Sequence, residues 1–410
     1  MVEETAPIKQ DSLPHGIRPG TRAFFQVQVA LFLGGFSTFS LLYSVQPLLP
    51  LFAADFNISP AHASIAVSTA TGVMSVMLIV MSVISDRFGR RTIMLSSLLV
   101  ASMLMIACAF TDDFFHLIIL RTLQGAALAG LPAVAMAYLG EEIDYSGLGL
   151  AMGFYISGNA MGGMSGRFIC AWVAEHSSWQ TALVSLGVLS LIMVIGFWKL
   201  LPPSQRFQPR PLRLKLMRDG MLSHLKDSYM PWLFLTAFLL LGSFISVYNF
   251  IAFRLMEPPF SLSTGQIGSI FLLYIIGMFS SAWIGRVADK LGLARVLWAV
   301  VSLTLVGVLL TLSNSLWIVI LGVAVLTFGF FGSHTVASSW VGRRAKQARG
   351  MASALYLWAY YFGSSVVGTL SGTLWGAGGW TAIVMCLVMC LGGCLAIAFH
   401  LLRLEQRETQ

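Results

Sequence analysis

The chain of 410 residues is 57% hydrophobic and only 10% charged, with a mean hydropathy of +0.81; a soluble domain carries roughly 25% charged residues. These values exclude a water-facing globular surface and require a polytopic membrane protein. The net charge of +8 raises nucleic acid as a partner. However, the bases crowd short connections between apolar runs and form no aromatic-interleaved patch, so they signal topology and argue against nucleic acid.

In chain order, residues 1–22 are polar, contain Pro7, Pro14 and Pro19, and read as a disordered tail. Twelve apolar segments of membrane-crossing length follow, at 24–51, 61–84, 92–111, 114–140, 146–173, 179–200, 229–255, 264–286, 293–313, 315–341, 347–375 and 379–402. They are called spans 1 to 12 below. The first is too long for a signal-peptide core and is read as retained. Residues 23–200 form a first six-helix bundle, 201–228 a central loop, 229–402 a second bundle and 403–410 a short tail. The loop carries Pro202, Pro203, Pro209 and Pro211, and its part from Leu212 to Leu225 reads as a basic surface helix meeting anionic headgroups.

With both ends in the cytoplasm, 22 of the 25 Lys and Arg fall on the cytoplasmic side. The exceptions are Arg121, Arg167 and Arg254, while the opposite connections carry Asp55, Asp112, Asp113, Glu175 and Glu257. This asymmetry predicts an even number of crossings with both termini inside. The connection between spans 4 and 5 stands apart, with Glu141, Glu142 and Asp144 and no base.

The two halves repeat. Asp86 and Asp289, Gly89 and Gly292, and Arg87 and Lys290 are each 203 positions apart, in charged turns after spans 2 and 8. At a spacing of 201, Gly149, Ala151, Tyr155 and Trp179 match Gly350, Ala352, Tyr356 and Trp380. An all-α architecture of twelve helices in two pseudo-symmetric bundles follows, the plan of a transporter. Small residues recur every fourth position in span 5 (Gly158, Gly162, Gly166) and span 11 (Ser364, Gly368, Gly372). Such stripes serve either static packing or a moving interface, and in a duplicated transporter a moving interface is the expectation.

Few polar groups lie inside the spans. Arg121 costs about 2.5–3.5 kcal/mol on insertion scales, so it must meet water, a carbonyl or an anionic group on the cargo, or else snorkel outward. No Asp or Glu lies mid-span to answer it. His334 is the histidine set well inside a span, either a proton carrier or a hydrogen-bonded interior group. Tyr43, Gln46, Gln124, Asn159, Tyr248, Asn249, Tyr360 and Tyr361 are further candidates for a cavity, since aromatics beside amides suit a sugar or a planar dye. Cys386, Cys390 and Cys394 stack on one face of span 12 and read as packing. No zinc motif, phosphate-binding loop or conspicuous nucleophile is present, so neither a metal, a cofactor nor ATP is expected, and an intramembrane enzyme is a remote alternative.

The turn Ser82-Val-Ile-Ser-Asp86-Arg87-Phe-Gly89-Arg90-Arg91 resembles the loop signature of the major facilitator superfamily, and Arg121-Thr-Leu-Gln124-Gly125 matches that family's span 4 signature. The family's antiporter signature is only partial, with Asn159 where proline is expected and Phe154 in place of the first glycine. Finer strings resemble the bacterial acriflavine-sensitivity (YnfM-type) branch. They include Tyr43-Ser-Val-Gln46-Pro47-Leu-Leu-Pro50, Met164-Ser-Gly-Arg167 and His334-Thr-Val-Ala-Ser338 through Lys346. The resemblance implies alternating access by a functional monomer in a bacterial inner membrane. It also implies a small-molecule substrate, a sugar or a cationic dye, exported against protons; passive facilitation or uptake of a polar or anionic solute is the alternative. It further implies a cytoplasmic gate at Asp86, Arg87, Gly89, Arg90, Glu141, Glu142, Asp289 and Gly292. In that gate Asp86 would reach the exposed amides of span 11 near Gly350, and Arg90 the acids ending span 4, only while the halves are closed.

Overall fold

The computed structural model describes residues 16–207 and 214–409. Of the expected tail, residues 1–15 lie outside the described residues, as do Pro209 and Pro211. Gly16 to Gly20 do not trail away. Ile17 forms a parallel bridge with Ile143, donating to Glu142 O at 2.8 Å and accepting from Asp144 N at 3.1 Å. A Cβ at Gly16 would lie 2.6 Å from Asp144 N, so the approach requires glycine.

Apart from that bridge, the regular structure of the described residues is all helical, and the twelve spans form two six-helix bundles. Among the described residues, ten helices are long and apolar enough to cross a membrane. The two long helices outside that set, span 5 (Tyr145–His176) and span 11 (Arg349–Thr373), are diluted by the glycine and serine of their small-residue stripes. The basic segment of the central loop is helical from Leu214 to Leu225.

Helix ends follow local chemistry. Ser59 accepts from His62 N ahead of span 2 (Pro60–Phe88), and Ser178 does the same for Thr181 N ahead of span 6 (Trp179–Leu200). Ser263 and Gln266 form a reciprocal capping box at the start of span 8. Gly89 and Gly292 share one geometry, φ 91° in both, and each donates back to the fourth residue before it, Ser85 O and Ala288 O. The duplication therefore holds down to the backbone of the two turns.

Span 1 is broken. Its first helix ends at Tyr43, a 3-10 turn runs Gln46–Leu48, and a short helix Leu49–Asp55 completes the crossing. Pro47 is the cause, because it lacks the N–H that would bond to Tyr43 O. Span 8 is likewise interrupted, by a 3-10 turn at Phe271–Leu273.

The stripe of span 5 packs within its own bundle. Cβ atoms at Gly158, Gly162 and Gly166 would fall 2.4 Å from Phe32 O, 2.1 Å from Phe36 O and 2.6 Å from Ser40 Cα, all in span 1. This corrects the expectation of a moving interface there; glycine is needed because the two backbones touch. The span 11 stripe does lie on the seam between halves. A Cβ at Gly372 would lie 3.1 Å from Ala61 Cα and one at Gly368 would lie 3.6 Å from Ser68 Oγ, and Ser364 donates to Thr71 Oγ1.

Bonds joining the halves gather on the face opposite the basic connections, called here the acidic face. Glu175 of span 5 accepts from Gly265 N of span 8, and Gln46 Nε2 donates to Asn249 Oδ1 at 2.7 Å. At the basic face, Gly140 and Gly342, at the ends of spans 4 and 10, are exposed, and a Cβ on either would meet nothing within 4 Å. The named bonds between the halves thus lie away from the basic face, where Gly140 and Gly342 stand open.

Candidate functional site

Gln46 and Asn249 are 203 residues apart, the spacing that relates the two charged turns. Repeat-equivalent residues can bond each other only close to the pseudo-two-fold axis that relates the halves. Their contact therefore marks the centre of the molecule, and both side chains are fully buried.

Beside them lies Arg167, 1% exposed. Its Nε donates to Gln46 Oε1 at 2.5 Å and its Nη1 to Gly163 O at 2.5 Å. The guanidinium sits 4.5 Å from the ring centre of Tyr43 in its own half, and 4.7 Å and 5.4 Å from those of Tyr274 and Phe271 across the seam. Phe271 opens the 3-10 turn that interrupts span 8, and Tyr274 follows it. Among the described residues, no ion pair involves Arg167. In the sequence this arginine stands out only as a base off the basic side. The insertion-cost argument applied to Arg121 reaches it equally, and the 203 spacing would have paired Gln46 with Asn249.

Arg121 sits elsewhere, wholly buried in the first bundle. Its Nε donates to Ala66 O (3.0 Å), Nη1 to Leu41 O (3.1 Å) and Gln124 Oε1, and Nη2 to Leu42 O (2.7 Å). Leu41 and Leu42 are the carbonyls set free where span 1 breaks, so the guanidinium caps a helix C-terminus inside the membrane. Gln124 holds it in place and donates to Ala101 O (2.9 Å). Of the alternatives for Arg121, the structure selects backbone carbonyls.

Other candidates divide. His334 Nδ1 lies 2.9 Å from Tyr356 Oη, and its ring packs 4.6 Å from that of Tyr360; His334 and Tyr360 are both partly exposed. Tyr361 is buried nearby on span 11. Tyr248 turns into the second bundle, bonded to Thr327 Oγ1 at 2.8 Å among Phe244, Phe271 and Tyr274. Asn159 packs against Gly35 of span 1, where a Cβ would strike its oxygen.

At the basic face, Arg90 grips Glu141 with two bonds, Nη2–Oε1 at 2.8 Å and Nε–Oε2 at 3.2 Å, and reaches Asp86 at 2.6 Å. All three belong to the first bundle and move together. The Arg90–Glu141 pair therefore needs no contact between the halves, which corrects its expected dependence on closure. Glu142 is not part of it; its carboxylate accepts from Arg206 N in the central loop at 2.9 Å. Asp86 is engaged by Arg90 and does not reach span 11 here, and Arg87 is exposed. In the second half the charges are inverted, Asp289 after span 8 pairing with Arg343 at the end of span 10.

Residues 31–278 match the profile described as Major Facilitator Superfamily. An uncharacterized MFS-type transporter of Bacillus subtilis (strain 168), YybF, is 44% identical over 387 residues, covering 94% of this chain and 96% of the relative. The inner membrane transport protein YnfM of Escherichia coli (strain K12) is 40% identical over 367 residues, covering 90% and 88%. The crystal structure of the nucleoside transporter NupG superposes with a TM-score of 0.74 at 16% identity, covering 93% of this chain and 99% of that one, which bears on the fold alone.

Proposed function

The chain belongs to the major facilitator superfamily, and we propose that it exports a small solute across a bacterial inner membrane in exchange for protons, with both termini in the cytoplasm. The observation that carries the reading is the Gln46–Asn249 bond on the repeat axis. A contact on that axis requires the halves to be close there, and it stands beside open Gly140 and Gly342 at the basic face, which is compatible with one half-cycle of alternating access. The basic face is then the cytoplasmic one.

His334, paired with Tyr356 and partly exposed, is the proton carrier in this reading. A proton entering gains about 2.3 kcal/mol per 100 mV, enough to move one solute uphill several-tens-fold. Of the cargoes considered, a sugar or other polar solute suits the aromatic and amide walls better than a cationic dye, because Arg167 would repel a cation and no mid-span carboxylate would receive it. The absence of that carboxylate also favours a second reading, facilitated passage of a polar or anionic solute without protons.

Everted membrane vesicles separate the two. An imposed pH gradient is expected to drive solute accumulation in wild type, with an altered pH optimum in His334→Gln. Solute movement indifferent to the gradient, or a His334→Gln variant with the wild-type pH profile, refutes the coupled reading.

A further inference from the structure

The guanidinium of Arg167 only donates hydrogen bonds, and that fixes its surroundings. Gln46 must turn its oxygen toward Arg167, so its nitrogen faces Asn249 Oδ1. Asn249 in turn keeps its Nδ2 free of that bond. Two donors are left buried without an acceptor, Arg167 Nη2 and Asn249 Nδ2, and the buried hydroxyl of Ser68 also has no partner. A Cβ at Gly368 would lie 3.5 Å from Asn249 Nδ2 and 3.6 Å from Ser68 Oγ, so these last two groups share one spot on the seam.

The charge is one-sided. At the spacing of 201 that relates spans 5 and 11, the counterpart of Arg167 is Gly368, so the second half brings no matching base. It brings no acid either. A fixed positive charge with an unused donor, in an apolar interior, is costly to hold unless something cancels it.

We propose that this centre is an anion subsite that takes the carboxylate of the cargo. The assignment rests on the transporter reading above and narrows it to a solute with one carboxylate and a planar or apolar body. A carboxylate accepts from several donors at once and cancels a single positive charge; a doubly charged phosphate would leave one charge unmatched, and a neutral sugar would cancel none. Tyr43 on one side, with Tyr274 and Phe271 on the other, provides the apolar walls. Arg167 and Gln46 belong to the first half, Asn249, Phe271 and Tyr274 to the second. The bound anion therefore bridges the seam and stabilises closure at the acidic face.

The test uses the purified full-length chain in lipid nanodiscs, with sodium benzoate as probe and benzamide as its neutral counterpart. Benzoate at tens of millimolar is expected to raise the thermal midpoint, and benzamide is not. Arg167→Gln weakens the benzoate response at least about tenfold, as loss of a charge-assisted bond would. Arg167→Lys, which keeps the charge and loses the fork, gives an intermediate response and guards against misfolding. Gln46→Glu places a carboxylate on Arg167 from within the chain; it is expected to raise the midpoint without ligand and to abolish the benzoate response.

No benzoate effect in wild type, equal effects of benzoate and benzamide, a response that survives Arg167→Gln, or a destabilised Gln46→Glu overturns the proposal. Spin labels at Gly140→Cys and Gly342→Cys, one per half on the basic face, judge the transporter reading separately. A single unchanging distance sinks alternating access, whatever benzoate does.

Discussion

Replacing Arg121 with methionine tests whether a guanidinium can act as the cap of a broken transmembrane helix. The substitution leaves three carbonyl oxygens, those of Leu41, Leu42 and the Gln124 side chain, without the guanidinium, whereas Ala66 O keeps its helical partner in span 2. An orphaned buried acceptor costs about 1–3 kcal/mol, so three cost roughly 6 kcal/mol at the middle of that range. Removing the charge returns about 2.5–3.5 kcal/mol of insertion cost. A net loss of about 3 kcal/mol is expected. Arg121→Lys, whose single ammonium cannot span three carbonyls, should lose about half as much. Thermal unfolding in nanodiscs, followed by tryptophan fluorescence, reads both variants. If Arg121→Met unfolds within a degree or two of wild type yet no longer transports, the capping argument is wrong and the arginine acts on cargo.

Three other expectations follow from the same contacts. Gly162→Ala would bring a Cβ to 2.1 Å from Phe36 O and is expected to destabilise by about 1–3 kcal/mol, whereas Gly149→Ala, with nothing within 4 Å, should be neutral; equal thermal midpoints would refute the tight packing of spans 1 and 5. Asp86→Asn removes one partner of Arg90 and, in the gate reading, the acid that reaches span 11 on closure. Its stability should change by less than about 1 kcal/mol, since the acid is partly exposed, while the Gly140–Gly342 spin-label distance shifts toward the parted state; an unchanged distance distribution argues against the latch. Burial works against ionisation of Asp227, but the amides of Tyr229 and Met230 and the Arg344 side chain hold its carboxyl below the ordinary carboxylate range. A depressed folded pKa means that its contribution is present above the unfolded value of about 3.9 and is lost as pH falls through the lower folded value. Asp227→Ala should therefore be less stable by about 1 kcal/mol at neutral pH, with the gap closing below about pH 4; a gap independent of pH from 3 to 7 contradicts this.

Much of the architecture could be read from residues alone. Hydrophobic length marks each crossing, the one-sided bases set a topology, and the turn glycines Gly89 and Gly292 announce a duplication that the matching φ of 91° repeats in three dimensions. The break in span 1 is written in Pro47, and the 203 spacing already relates Gln46 to Asn249, although nothing in the chain says that the two touch. The partners of Arg121 and Arg167 were not legible. Both are lone arginines in apolar helices, and only their neighbours differ: one meets the carbonyls of a broken helix, the other an amide and three rings.

Orientation about each helix axis is the part that the chain left open. In water, a buried face is apolar and an exposed face polar, so rotation is encoded in the pattern. In lipid both faces are apolar, and the stripe of Gly158, Gly162 and Gly166 reads the same whether it meets span 1 or the opposite half. The sequence by itself thus determined how many times this chain crosses, in what duplicated order, and where its backbone must turn. Which side chains converge on the central axis was decided only when twelve such helices packed, because close approach depends on shapes that separate helices do not share until they touch.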